Sequence, residues 1–204
     1  PAAMTGVTKY IGVPRKRSED PQILMGKAKY VDDIKLPGML EVAFFRSSHA
    51  HARIKNLNLD AAKQHPDCIR IITAEDFDGG VTTVPPNTRG TLIPVTIPFL
   101  AKNKVRFVGE IIAMVVAPTR YVAEDIVDFI SVEYETLPAY NDVEEAMKPD
   151  ATLLHDDIGS NTYYSDTFSH GDVDKAFAEA DLVVSEKIAT GRTSAAPMET
   201  RGVV

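Results

Sequence analysis

The chain has 204 residues, which is enough for one or two domains with a buried core that needs no disulfide bonds. With 22 Lys and Arg against 29 Asp and Glu, the net charge of −7 argues against nucleic acid or an anionic membrane as a partner, because both favour a basic surface. No apolar run is long enough to span a bilayer, and residues 1–16 lack the apolar core of a secretory signal. The single cysteine, Cys68, excludes an internal disulfide and favours a reducing, cytoplasmic location.

Short strands separated by turns are predicted along most of the chain. Residues 14–21 are polar and bounded by prolines, which predicts an extended lead-in, and Pro37-Gly38 is a turn signal. Apolar and β-branched runs predict strands over residues 40–45, 52–59, 68–73, 105–108, 110–117, 131–135 and 182–188. The run 110–117 is almost wholly apolar, which is typical of a strand buried on both faces. Residues 78–98, rich in Gly and Pro, predict a long loop with at most a piece of edge strand.

The clearest helix is predicted over residues 119–130. Its apolar residues recur at helical spacing and form one stripe that includes Val122, Ile126 and Ile130. We expect this stripe to pack on the sheet that contains residues 111–116. It is predicted to be the longest helix of its domain.

Three shorter helical turns are predicted from capping residues. Asp60 is expected to cap a turn over residues 60–64, and residues 73–76 form a capping box. Asp172 is expected to cap a short helix with Phe177 turned inward. Strands, single helical turns and one main helix in this order predict the α+β class.

Two groups of histidine and acidic residues are candidate metal sites. His49 and His51, two positions apart on a strand, would share a face, but no third ligand lies nearby in the sequence. Hydrogen-bonding loop histidines are the favoured interpretation. The adjacent residues of His155-Asp156-Asp157 cannot all point at one ion from a strand, so a solvated acidic turn is favoured there.

No other pattern predicts a reaction. Cys68 lies in a strand context without an activating base, which is typical of an inert buried thiol. Glu110 begins an apolar strand, where a carboxylate that caps a backbone group is more common than a catalytic one. The chain has no phosphate-binding loop, dinucleotide fingerprint or nucleophile elbow. The residues alone therefore assign no activity.

Five segments in fixed order do resemble a known family. They are Met25–Ile34 with Leu36–Leu40, Phe45–Ile54, Val105–Glu110 with Ala113–Ala117 and Ala123–Asp125, Val132–Pro138, and Gly171–Asp174 with Ala195–Gly202. Together they resemble the large, molybdenum-binding subunit of the xanthine dehydrogenase, aldehyde oxidase and aerobic carbon monoxide dehydrogenase family. The resemblance extends from about Gly12 to the end of the chain.

The resemblance implies a fold with two parts. Residues 20–140 are similar to the family's α/β hammerhead domain, with a mixed sheet and one main helix. Residues 166–204 are similar to the opening strand and helix of a second α+β domain, which binds molybdopterin. Residues 1–19 would then be an extended lead-in, and the acidic residues 141–165 a linker.

The resemblance also implies a function for the parent protein. Members of the family hydroxylate an aldehyde, an N-heterocycle or carbon monoxide with water as the oxygen donor, using a molybdopterin-type molybdenum cofactor. Electrons pass to iron–sulfur and FAD subunits or domains, which would be partners together with the rest of the large subunit. The family's catalytic glutamate has no counterpart here, so the 204-residue chain alone is expected to bind no cofactor and to be inactive. The alternative is a stand-alone assembly or binding module without catalysis.

Thr193 is the single position that the resemblance places near the cofactor. Family members often bring a glutamine close to the molybdenum, and by register that position falls near Thr193. The chain's last ten residues are apolar and weakly charged, and we expect them to pack, together with strand 182–188, on the hammerhead domain or on another chain. Self-association of the chain is therefore also expected.

Overall fold

The computed structural model describes residues 12–77, 80–82, 91–199 and 201–204. The α-helices of these residues are Asp20–Leu24 (α1), Asp60–Lys63 (α2), Arg120–Val127 (α3), Val143–Ala146 (α4) and Val173–Glu179 (α5). Their strands are Glu41–Arg46 (β1), Ala52–Asn58 (β2), Arg70–Thr73 (β3), Gly80–Thr82 (β4), Thr91–Leu92 (β5), Thr96–Pro98 (β6), Lys104–Val105 (β7), Ile111–Ala117 (β8), Ser131–Thr136 (β9) and Tyr164–Ser165 (β10). Single 3₁₀ turns are formed by Val31–Asp33 and Ala74–Asp76. No helix within the described ranges has the length and apolar character needed to cross a bilayer.

The chain divides into two compact units. The larger unit is Met39–Ser185, and the smaller one joins the residues up to Gly38 with Glu186–Val204. The domain boundaries drawn from the sequence at residues 19, 140 and 165 stay a prediction.

Two three-stranded sheets form the centre of the larger unit, with strand orders β1-β8-β3 and β7-β2-β9. The pairs β4-β6 and β10-β5 form two small ribbons. Every described strand pair is antiparallel, which differs from the mixed sheet that the resemblance implied. The reason is that α3 connects β8 to β9, and these strands belong to different sheets, so the helical connection creates no parallel pair. The predicted α+β class is confirmed.

The main helix packs as predicted on the β1-β8-β3 sheet. The Thr119 side chain accepts a hydrogen bond from the Val122 N–H and begins α3. Ile126 is fully buried and Ile130 nearly so, against the face of β8 that carries Val115. The helix is shorter than predicted and is the longest of the described residues.

Strand β8 separates two hydrophobic clusters and is buried on both faces, as predicted. Val115 faces α3, together with the alanines two positions before and after it on the strand. Ile112 instead packs with Ala52 and Val105 in the second cluster. Both Ile112 and Val115 are fully buried. This strand therefore links the two cores of the larger unit.

Several local predictions are confirmed with small shifts. The strands predicted over residues 40–45, 52–59, 68–73 and 131–135 are present. Thr73 caps the predicted short helical turn, which is of the 3₁₀ type, and Gly38 has the positive φ of +75° that a turn glycine supplies. Of the predicted 78–98 loop, the described parts form three short strands, and residues 78, 79 and 83–90 lie outside the described residues.

Three sequence predictions are wrong in detail: the extended lead-in, the cap of α2 and the end of β7. The lead-in 14–21 is not wholly extended, because Pro21 near the start of α1 favours a helical turn there. Asp60 is the first residue of α2 rather than its cap, since its N–H bonds to the Asn58 side chain. Strand β7 ends at Val105, because Gly109 takes a φ of +90° in the tight turn before β8.

The other corrections concern the region after residue 166. Asp172 caps α5 as predicted, but Phe177 is 58% exposed rather than turned inward. The strand predicted over residues 182–188 is not formed. β-propensity alone did not create a strand there, because no described neighbouring strand pairs with the segment.

Candidate functional site

Four polar residues in the described part of the larger unit are buried, and we call them the polar cluster: Ser47, His51, Lys104 and Glu110. They lie where β1 ends and where β2, β7 and β8 begin. Backbone hydrogen bonds join the Ser47 N–H to the Glu110 carbonyl at 2.9 Å and the Gly109 N–H to the Ser47 carbonyl at 2.8 Å. Buried polar groups require such partners, and each member of the polar cluster has at least one.

Glu110 is a structural cap. Its carboxylate accepts the Arg106 N–H, and its second oxygen lies 3.7 Å from the Arg106 guanidinium. Burial raises the pKa of the Glu110 carboxyl, and the hydrogen bond from the Arg106 N–H opposes this shift. The capping interpretation of the sequence is confirmed, because these contacts close the turn between β7 and β8.

Lys104 is the charged group that sequence reasoning missed. Only 4% of its side chain is exposed, and its ammonium donates to the Leu153 carbonyl at 2.6 Å and to the Asp156 carboxylate at 3.2 Å. Asp156 thus belongs to an ion pair rather than only to a solvated acidic turn. No local pattern signals this pair, because its members are 52 residues apart.

His51 is held in a defined tautomer. Its Nδ1 lies 2.6 Å from the Pro138 carbonyl, which can only accept, so Nδ1 carries the proton. Nε2 is buried without a partner among the described residues. Burial lowers the pKa of the His51 imidazole, and the cationic Lys104 and Arg106 act in the same direction. His51 is therefore a neutral hydrogen-bond donor.

The buried neutral state of His51 predicts that the stability of the fold depends on pH. A histidine whose pKa is lower folded than unfolded takes up its proton more readily when unfolded, so stability falls as the pH decreases below about 6.5. His51→Asn keeps a donor for Pro138 without titrating, and we expect a smaller loss of stability between pH 7.5 and pH 5.5. Urea denaturation at the two pH values measures this.

His170 offers a control for that experiment, because it is an exposed histidine of the same unit. His170→Asn is expected to keep the wild-type pH dependence. His155 is also lowered in pKa by burial, so the dependence is reduced in His51→Asn rather than abolished. If the unfolding free energy of His51→Asn changed with pH as much as that of the wild type, the neutral buried state of His51 would be contradicted.

His49 contacts its neighbour Ser48 and the ring of Tyr134 on β9. Its Nδ1 lies 3.1 Å from the Ser48 hydroxyl, and its ring stands 4.3 Å from the Tyr134 ring centre. His51 instead bonds to Pro138, so each imidazole has its own partner, as the hydrogen-bonding interpretation predicts. Within residues 12–77, 80–82, 91–199 and 201–204, no three His, Cys, Asp or Glu side chains are grouped to hold a metal ion. Burial raises the pKa of the Cys68 thiol, which favours its protonated form.

Thr193 lies on an exposed segment of the smaller unit. Every described residue from Thr167 onward is exposed, including large apolar ones such as Leu182, Ile188 and Met198. The residues around Thr193 therefore do not enclose a ligand the size of a pterin cofactor, since such sites bury most of the ligand surface. The contact between Thr193 and a cofactor stays a prediction, and no chemical step is assigned to it.

The end of the chain is attached to an early turn of the same unit. The Glu199 carboxylate accepts the Val31 N–H at 2.9 Å and so caps the Val31–Asp33 turn. A Cβ atom on Gly202 would lie 2.5 Å from a Val31 methyl group, so the two residues are in close contact. The apolar tail residues themselves, Met198 and Val203, are exposed.

This close contact predicts that Gly202→Ala loosens the attachment. The stiff, β-branched Val31 side chain or the tail itself has to shift, which weakens the contact between them. We expect faster amide exchange at Val31 by NMR. Gly191→Ala is the matched control, because a Cβ there meets nothing within 4 Å. Equal exchange in both variants would show that Gly202 does not hold the tail.

Two models of known protein families match residues of this chain. Residues 25–138 match the aldehyde oxidase and xanthine dehydrogenase a/b hammerhead domain, and residues 154–204 match the molybdopterin cofactor-binding domain. The first match covers more than half of the chain. The chain therefore belongs to the aldehyde oxidase and xanthine dehydrogenase family, which confirms the resemblance.

Individual relatives agree with the family. The chain is 39% identical to the carbon monoxide dehydrogenase large chain of Afipia carboxidovorans, over 93% of this chain and 25% of the relative. It is 36% identical to the nicotine 6-hydroxylase large subunit of Paenarthrobacter nicotinovorans, over 94% of this chain and 24% of the relative. The crystal structure of the Cu,Mo-CO dehydrogenase in its carbon monoxide reduced state superposes with a TM-score of 0.67 at 38% identity, over 84% of this chain and 23% of that one. The chain thus spans about a quarter of the length of these relatives.

Proposed function

We propose that this chain is the N-terminal part of the large subunit of a molybdenum hydroxylase. The observation that carries the proposal is the order of two matches on one chain, a hammerhead domain followed by the beginning of a molybdopterin-binding domain. The whole protein hydroxylates an aldehyde, an N-heterocycle or carbon monoxide with oxygen from water. Its molybdenum cofactor supplies the redox chemistry when bound.

The two parts of the chain contribute differently to this function. Residues 20–140 form the hammerhead domain, which is a scaffold, because His51, Lys104 and Glu110 each bind another part of the same chain. Residues 166–204 begin the cofactor domain, with Thr193 near the cofactor, after a lead-in over 1–19 and a linker over 141–165. None of the described residues is assigned a catalytic role.

The exposed apolar residues support a partner surface in the whole protein. Leu182 is 79% exposed, Ile188 84% and Met198 fully exposed, which is unusual for a soluble protein that is complete in itself. We expect the rest of the large subunit to cover them. Iron–sulfur and FAD subunits or domains are the electron-accepting partners, the complex is cytoplasmic, and the isolated chain self-associates.

Metal analysis and activity assays of two proteins test the proposal. The complete large subunit, purified with its partner subunits, is expected to contain molybdenum and pterin. It is also expected to reduce a dye with carbon monoxide, an aldehyde or an N-heterocycle as substrate. The 204-residue chain is expected to contain neither and to be inactive. Molybdopterin bound to the 204-residue chain would contradict this division, and a native 204-residue product without partners would favour the stand-alone binding module.

A further inference from the structure

The ammonium group of Lys104 makes an unusual set of contacts for a buried lysine. Its side chain is 4% exposed, whereas the side chain of its partner Asp156 is 56% exposed. Nζ donates to the Leu153 carbonyl at 2.6 Å and lies 3.2 Å from both Asp156 oxygens. Both partners therefore belong to one short segment, residues 153–156, and neither belongs to the sheet that carries Lys104.

Burial of this charge is costly unless the partners remain in place. An ammonium removed from water loses its hydration, and among the described residues the Leu153 carbonyl and the Asp156 carboxylate replace it. If the segment moved away, the Lys104 ammonium would lose both of these acceptors. The position of the segment and the burial of the charge are therefore coupled.

The segment has an internal structure of its own. The Asn161 amide donates to the Ala146 carbonyl at 2.9 Å and to the Thr152 carbonyl at 3.2 Å, and its oxygen accepts the Leu154 N–H at 2.9 Å. These bonds fold the region but do not connect it to β2, β7 or β9. Lys104, on β7, makes that connection.

We infer that Lys104 is the positioning residue that fastens residues 153–156 to the β7-β2-β9 sheet. The match to the molybdopterin cofactor-binding domain begins at residue 154, so this contact sets where that domain leaves the hammerhead domain. The contact is a property of the fold, and it holds whatever reaction the whole protein catalyses.

Hydrogen exchange of the full chain, followed by mass spectrometry, tests this role. Lys104→Met and Asp156→Asn are each expected to accelerate exchange in residues 151–158 by roughly tenfold, because each removes a charge-assisted hydrogen bond. The amides of β8 are expected to keep their wild-type exchange. Asp156→Glu retains the carboxylate and is expected to restore slow exchange, which a merely space-filling role of residue 156 would not require.

Two neighbouring residues provide matched controls. Lys102 pairs with Glu75 on the surface, and Asp157 follows Asp156 in the chain, so Lys102→Met and Asp157→Asn are expected to leave residues 151–158 unchanged. Wild-type exchange of this segment in Lys104→Met and Asp156→Asn would overturn the inference. Equal acceleration in β8 would overturn it too, since Lys104 would then support the whole unit rather than one segment.

Discussion

Replacement of Ile126 by aspartate is expected to unfold the larger unit. Ile126 is fully buried between α3 and the β1-β8-β3 sheet. Removing such a side chain costs about 2–5 kcal/mol, and an unpaired buried carboxylate adds several more. The sum is comparable with a total stability of about 5–15 kcal/mol. Circular dichroism melting is expected to show no cooperative transition in this variant.

Tyr121 supplies the control on the same helix. Its side chain is 80% exposed in the first turn of α3, where an aspartate is favoured by the helix dipole. Tyr121→Asp is therefore expected to melt like the wild type. If Ile126→Asp also melted like the wild type, the result would contradict the burial of Ile126 between α3 and the sheet.

Replacement of Glu110 by alanine is expected to have the second largest effect. The variant removes the acceptor of the Arg106 N–H in the turn between β7 and β8 and leaves the Arg106 guanidinium without its carboxylate. Loss of a hydrogen bond to a charged group, with the donor left unsatisfied, costs about 1.5–3 kcal/mol. Denaturant unfolding of the full chain measures this loss.

Glu110→Gln distinguishes the hydrogen bond that residue 110 accepts from the effect of its negative charge. The glutamine carbonyl still accepts the Arg106 N–H, and the amide avoids the burial of a negative charge that raises the Glu110 pKa. We expect this variant to retain most of the wild-type stability. Glu133→Ala, on an exposed position of β9, is the control for removal of a carboxylate and is expected to change little. A loss in Glu110→Gln as large as in Glu110→Ala would mean that the charge, not the cap, stabilises the turn.

The contacts of the polar cluster could be predicted only where they are local. Glu110 caps a residue four positions earlier, so the interpretation as a backbone cap was available from its place before an apolar strand. His51 binds Pro138, which is 87 residues away, and Lys104 binds Asp156 across 52 residues. Such pairs depend on which strands become neighbours, and a single sequence does not reveal that.

The sequence by itself determined part of the local structure and the family of this protein. Turn glycines, the Thr119 and Asp172 caps and the apolar period of α3 act within a few residues, so their effects follow from composition and spacing. Five motifs in order were enough to indicate the family. The tertiary structure decided the antiparallel pairing of every described strand, the exposure of Phe177 and the absence of a strand over 182–188. It also decided the attachment of Glu199 to Val31 across 168 residues, because sheet partners and buried charges are selected by packing between distant segments.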